Sequence, residues 1–236
     1  MDFEVYLQEL AAGEGADFFG VADLAIARDA ILEQGGPPIA GYPLAVSVGI
    51  RLADPIVDLL TRKNERAVAS SYKHHCYDVI NGRLDVLSSK LAGAIQRSGF
   101  KAYPLPSSMR VSDEKICAIF FHKMAAHLAG LGWIGKSCLL VTPEAGPRVR
   151  WTTVLTNAPL AAGKPMEERC GECRECVDAC PVQSFSNKNF RADEPREARY
   201  DARRCEKYLN GLEKSTGYRV CGMCLYVCPY GKKALR

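Results

Sequence analysis

Eight of the chain's 11 cysteines lie after residue 169, and their spacing is regular. The first run is Cys170-x2-Cys173-x2-Cys176-x3-Cys180, with Pro181 next. The second is Cys221-x2-Cys224-x3-Cys228, with Pro229 next, and Cys205 stands alone between the two. Cys170, Cys173 and Cys176 sit on one tight loop and can face three corners of a cube, whereas Cys180 lies one helical turn further on. A [4Fe–4S] cluster takes four cysteine thiolates, so eight cysteines make two complete sets. Each proline ends its local turn, because it has no N–H and resists continuing a helix. Cys76, Cys117 and Cys138 remain and are expected to be buried free thiols.

Two other uses of so many cysteines compete. Zinc knuckles also use C-x2-C pairs, but they combine two plus two rather than three close together and one more before a proline. A disulfide framework needs an oxidising compartment. Met1-Asp2-Phe3-Glu4 offers neither a basic region nor an apolar signal core. The first run is the bacterial ferredoxin arrangement, in which the fourth cysteine serves the other cluster. That likeness implies Cys170, Cys173, Cys176 and Cys228 around one cluster, and Cys180, Cys205, Cys221 and Cys224 around the second.

The net charge of +4 is unevenly placed. Residues 1–163 carry 16 basic and 16 acidic side chains, and residues 164–236 carry 15 and 11. Oxidised clusters with their thiolates are anionic, so the basic excess is read as balancing the cofactors rather than as a nucleic-acid patch. No apolar stretch approaches the roughly 20 residues that span a bilayer. The expectation is a cytoplasmic protein without membrane association, with a core over 1–163 and a cluster domain over 164–236.

Phe3, Leu7 and Leu10 predict an opening helix, and Phe18–Ala22 a short strand. Alternation from Leu44 to Leu52 predicts another strand. Ile80, Leu84, Leu87, Leu91 and Ile95 form the stripe of a long helix ended by Gly99. Ala102–Leu105 reads as a strand, and Ile116, Phe120, Met124 and Leu128 as a second helical stripe. Cys138–Val141 and Arg148–Thr156 read as strands joined by the turn Pro143–Pro147. Long helices mixed with antiparallel hairpins predict an α+β fold.

Gly130-Leu131-Gly132-Trp133-Ile134-Gly135-Lys136-Ser137 matches both G-x4-G-K-S and, over six residues, G-x-G-x-x-G. Both motifs need a strand before and a helix after, so that helix N–H groups face phosphate. Here a helical stripe precedes the glycines and an apolar run follows. The segment is therefore read as a helix stop, or as bare backbone that admits a large flat cofactor.

Ala129–Lys136 followed by Leu139-Leu140 resembles the AGLGWIGK-x-x-LL segment of epoxyqueuosine reductases. Asp201–Cys205 with Tyr208-Leu209, and Cys221-x2-Cys224-x2-Val227-Cys228-Pro229, resemble two further segments of that family in the same order. The resemblance, from about residue 70 onward, implies a nitroreductase-like cobalamin-binding core and a C-terminal ferredoxin-like double-cluster module. Reductive dehalogenases share this plan. It also implies a flavodoxin- or ferredoxin-type electron donor and a base-off corrinoid. The D-x-H-x-x-G signature of a histidine lower ligand is missing, which is compatible with base-off binding.

There are departures. Alignment places Ile116 at the family's aspartate proton donor, with Asp113 three residues away. The family's Asp-Tyr-His segment reads His75-Cys76-Tyr77 here. The family also has a C-terminal tRNA-contacting region beyond the last ligand, where this sequence stops at Arg236. These departures weigh against tRNA-borne epoxyqueuosine and for a paralogue acting on a small molecule or on a partner corrinoid protein. Candidate proton donors are Asp113 and Tyr77. Candidate corrinoid-binding residues are Tyr72, His75, Gly130, Gly132, Trp133 and Lys136.

Overall fold

A computed structural model describes residues 2–233, and two compact units divide the chain. The first takes the residues up to Arg51, Ile80–Gly132 and Arg150–Met166, and the second takes Leu52–Val79, Trp133–Val149 and the chain from Glu167 onward. This partition by compactness interleaves the sequence, unlike a single cut at 163/164.

The first unit is built on strands β1 (Phe18–Asp23), β2 (Leu44–Arg51) and β3 (Ala102–Leu105), with a last strand, Val149–Thr156, in the order β1-β2-last-β3. β1 runs antiparallel to β2, with Phe18 opposite Gly49 and Asp23 opposite Leu44. The last strand runs antiparallel to β3, with Thr156 opposite Ala102. The two central strands are almost wholly buried along their length. On one face Ala22, Ala45 and Leu155 share a core with Ile31, Ile39, Phe120, Ala125 and Leu128. Alternation sends Val21, Val46 and Val154 to the other face. The helix Ile80–Arg97 packs on β3 and β2, burying Leu84, Leu87, Leu91 and Ile95, and the helix Phe3–Gly13 packs on that helix. Asp2 caps the opening helix by accepting from Glu4 N at 2.8 Å.

Buried hydroxyls in the last strand are satisfied locally. Thr152 donates to Leu105 O at 3.0 Å, and Thr156 to Lys101 O at 2.8 Å. His122 joins Thr153 through Nδ1 at 2.9 Å and the Pro106 carbonyl through Nε2 at 3.0 Å. A carbonyl only accepts, so Nε2 carries the proton and Thr153 donates to Nδ1. Burial lowers the imidazole pKa from 6.5 to about 4, against an opposing pull from the Pro106 bond. The depressed pKa makes the unfolded chain bind the proton first, so stability present above pH 6.5 is lost as pH falls towards 4. An NMR titration of the His122 ring should show a midpoint near 4, with about 3 kcal/mol of stability lost across that window.

Two expected elements are revised. The stripe from Ile116 is helical only over His122–Leu128, since Cys117–Ala118 is strand β5, paired with β4 (Arg110–Ser112). Ile116 ends the intervening turn at φ +46°, a conformation a β-branched residue adopts only when its surroundings impose it. Phe120 is buried as its spacing suggested, without being helical. The expected pairing of Cys138–Val141 with Arg148–Thr156 does not form. Instead β6 (Trp133–Ile134) pairs with β7 (Leu140–Val141), and β8 (Val149–Thr156) is the last strand of the large sheet.

In the second unit, the helix Arg66–Tyr72 runs into a π-helix over Lys73–Val79. The helices Asp54–Asp58, Ala202–Thr216, Met223–Tyr226 and Pro229–Lys233 accompany it. Asp201 caps the helix Ala202–Thr216 by accepting from Arg204 N at 2.8 Å, and Gly217 ends it at φ +85°. Among the described residues no helix is long and apolar enough to cross a membrane.

Candidate iron-sulfur centres

All 11 cysteines are free thiols, and the seven of the two runs and Cys205 between them are partly buried. Burial pushes the Cys176 thiol up to about 12, and the neighbouring sulfurs of Cys170, Cys228 and Cys173 push the same way. Cys228 is raised by burial and by Cys170 and Cys173, while the N–H groups of Tyr230 and Gly231 hold it down. Cys224 is raised by burial, then by Cys221, Cys205, Cys176 and Cys180. Burial likewise raises Cys221 and Cys205, with Cys205 and Cys180 acting on the first and Cys180 on the second. By these mutual influences Cys170, Cys173, Cys176 and Cys228 make one neighbourhood of thiols, and Cys180, Cys205, Cys221 and Cys224 a second. Cys176 also acts on Cys224.

The donor set suits iron–sulfur clusters. Eight partly buried thiols supply the four thiolates that each of two clusters takes. Backbone donors already point at sulfur, as Ser184 N does to Cys180 Sγ at 3.3 Å. Hydrogen bonds of this kind stabilise cluster thiolates.

The hairpin β6–β7 meets the first neighbourhood. Trp133 is 1% exposed and donates its indole N–H to Cys170 Sγ at 3.4 Å. Its ring stands edge-on to Tyr230 at 4.7 Å, and the Tyr230 hydroxyl donates to Arg169 O at 3.3 Å. Lys136 is also buried, and its Nζ donates to Gly171 O at 2.7 Å and to Cys173 O at 3.2 Å. A Cβ on Gly135 would lie 3.4 Å from Cys170 Sγ and 2.9 Å from Val141 Cγ2. Arg148 is fully buried and bonds Asp54 at 2.9 Å and Asp58 at 2.8 Å. A Cβ on Gly231 would come within 2.9 Å of Arg148 Nε, three residues after Cys228. Sequence reasoning missed Arg148 and Tyr230. The aromatic directly after Cys228-Pro229 was the available signal for Tyr230, while Arg148 carries none because its carboxylates lie 90 or more residues away.

Residues 169–231 match the 4Fe-4S double cluster binding domain. The epoxyqueuosine reductase of Bacillus subtilis (strain 168) is 27% identical over 184 residues, covering 73% of this chain and 42% of that protein. The one from Pseudomonas aeruginosa is 30% identical, covering 72% and 45%. The chain is epoxyqueuosine reductase-like. Its fold is that of a solved catabolic reductive dehalogenase, with a TM-score of 0.73 at 21% identity over 95% of this chain and 31% of that one. An epoxyqueuosine reductase solved with an epoxyqueuosine-modified tRNA-Tyr stem loop gives 0.60 at 21% identity, covering 97% and 65%. The architecture is therefore α+β, with the fold of these two solved reductases and a C-terminal double-cluster module. This epoxyqueuosine reductase-like chain spans less than half the length of the curated relatives named here.

Several expected cofactor contacts are spent within the protein. Gly130 takes φ +77°, with its N–H on His127 O and the Leu131 N–H on Ala126 O, which is a Schellman stop. A Cβ there would meet Lys164 O at 2.6 Å, so its bare backbone admits the protein's own chain. Replacing Gly130 by alanine should cost at least about 1–2 kcal/mol, read as a lower thermal midpoint. Gly132 offers its carbonyl to His127 Nδ1 at 3.0 Å. Trp133 and Lys136 serve the cysteine loop. Asp113 sits on the turn between β4 and β5, 93% exposed and paired with Arg110 at 3.3 Å. Tyr72, His75 and Tyr77 do come together around the π-helix. Tyr72 is buried edge-on to the half-buried Tyr77 at 5.9 Å, and His75 Nε2 accepts from Ala53 N at 3.4 Å. π-Helical turns are frequent at functional sites, and no composition signals them.

Proposed function

We propose that the protein is an iron–sulfur oxidoreductase that passes electrons through two [4Fe–4S] clusters to a base-off corrinoid and on to a small-molecule substrate. Cys170, Cys173, Cys176 and Cys228 hold one cluster, and Cys180, Cys205, Cys221 and Cys224 the other. The two thiol neighbourhoods carry this reading, and Cys176 of the first also acts on Cys224 of the second. When bound, such clusters supply one-electron transfer. Residues 164–236 form the electron-carrying part and residues 1–163 the acceptor part. A soluble donor of flavodoxin or ferredoxin type supplies the electrons in a cytoplasmic setting. Tyr77 is the proposed proton donor, since Asp113 is paired and exposed.

The corrinoid rests on likeness of fold, including that to a reductive dehalogenase whose structure is described as suggesting a mechanism for B12-dependent dehalogenation. The groups that Gly130, Trp133 and Lys136 would offer it are engaged within the protein. This favours a second reading, in which the protein is an electron carrier or reductive activator of another corrinoid protein. One anaerobic preparation decides. About eight iron and eight sulfide per chain are expected, with a visible-spectrum change when a corrinoid is added. Zinc without iron removes both readings, and clusters without corrinoid binding leave the second.

A further inference from the structure

We propose that the hairpin segment Trp133–Lys136 sets the reduction potential of the cluster held by Cys170, with the Trp133 indole N–H as the donor. The inference rests on the two-cluster reading and goes beyond it. Trp133 is 1% exposed, and its N–H is a donor only, so a buried partner is required. That partner is Cys170 Sγ at 3.4 Å. The ring cannot swing away, because Tyr230 holds it edge-on from the segment that follows Cys228. Lys136 fixes the loop from the other side through Gly171 O and Cys173 O, adding a buried positive charge. Gly135 leaves room for the cysteine sulfur.

Adding one electron to a cluster forms and breaks no bond but increases negative charge on its sulfurs. A donor to sulfur stabilises the reduced form and raises the potential.

The test is a redox titration of the anaerobic full chain, followed by EPR. In Trp133→Phe, iron and sulfide should stay at about eight each, while one cluster becomes harder to reduce. Its reduced-to-oxidised ratio at fixed potential should fall about tenfold, or about 59 mV for one electron. The potential of the other cluster should stay in place. Unchanged potentials in a fully loaded Trp133→Phe protein overturn the inference and leave the two-cluster reading standing. Low iron in the unsubstituted protein overturns that reading itself. Should Trp133→Phe fail to load, pulsed EPR of Trp151→Phe protein carrying 15N-tryptophan replaces it. A nitrogen coupling to one reduced cluster is then expected, and its absence overturns the inference.

Discussion

Replacing Cys173 and Cys180 together by alanine is expected to remove both clusters and leave almost no iron. Replacing Cys173 and Cys228 together should remove only one, leaving about four irons. The reason lies in the crossed arrangement. Cys176 is under the influence of Cys170, Cys173 and Cys228, whereas Cys180 acts on Cys205, Cys221 and Cys224. If ligands were shared out in sequence order, four and four, the outcomes would invert. Iron and sulfide assays with EPR spin counts separate the cases, and half-loading of the Cys173/Cys180 variant would refute the crossed sets. Partial unfolding around residues 170–180 should accompany cluster loss, since a site formed only in the native state lends its binding energy to folding.

Arg148→Met is expected to cost about 3 kcal/mol, the lower end for breaking a buried ion pair. The guanidinium is fully buried between Asp54 and Asp58. Asp58 is 40% exposed and can regain water, which keeps the loss from being larger. Asp54 is only 14% exposed and bears most of it. In a chain of this length the thermal midpoint should fall about 6–12 °C. Adding Asp54→Asn to Arg148→Met should recover part of the loss. A single variant within about 0.5 kcal/mol of the parent would show that the pair contributes little.

The helices Phe3–Gly13 and Ile80–Arg97 and the strand β2 were legible because each buries one periodic face or a continuous apolar run. The helical reading of Ile116–Leu128 failed for the same kind of reason. Spacing reports which side chains are buried, and Phe120 is buried from a non-helical turn. The pairing expected for β8 failed because neighbours along the chain need not be neighbours in a sheet. An eight-residue strand buried on both faces belongs in the middle of four strands. The glycine-rich segment was legible as a helix stop, but its destination was not. Nothing local tells Lys136 that the carbonyls of Gly171 and Cys173 will accept from it, 35 and 37 residues away.

The cysteine spacings and the order of helix and glycine loop determined that two cluster sites were wanted and that no phosphate loop was present. Both are properties of a few adjacent residues, set by turn geometry and by the missing N–H of proline. Only the tertiary structure decided that Trp133 and Lys136 serve the first cysteine loop, and that Arg148 is buried with two carboxylates. Those outcomes depend on distances between segments far apart in the chain, which packing sets and local sequence does not encode.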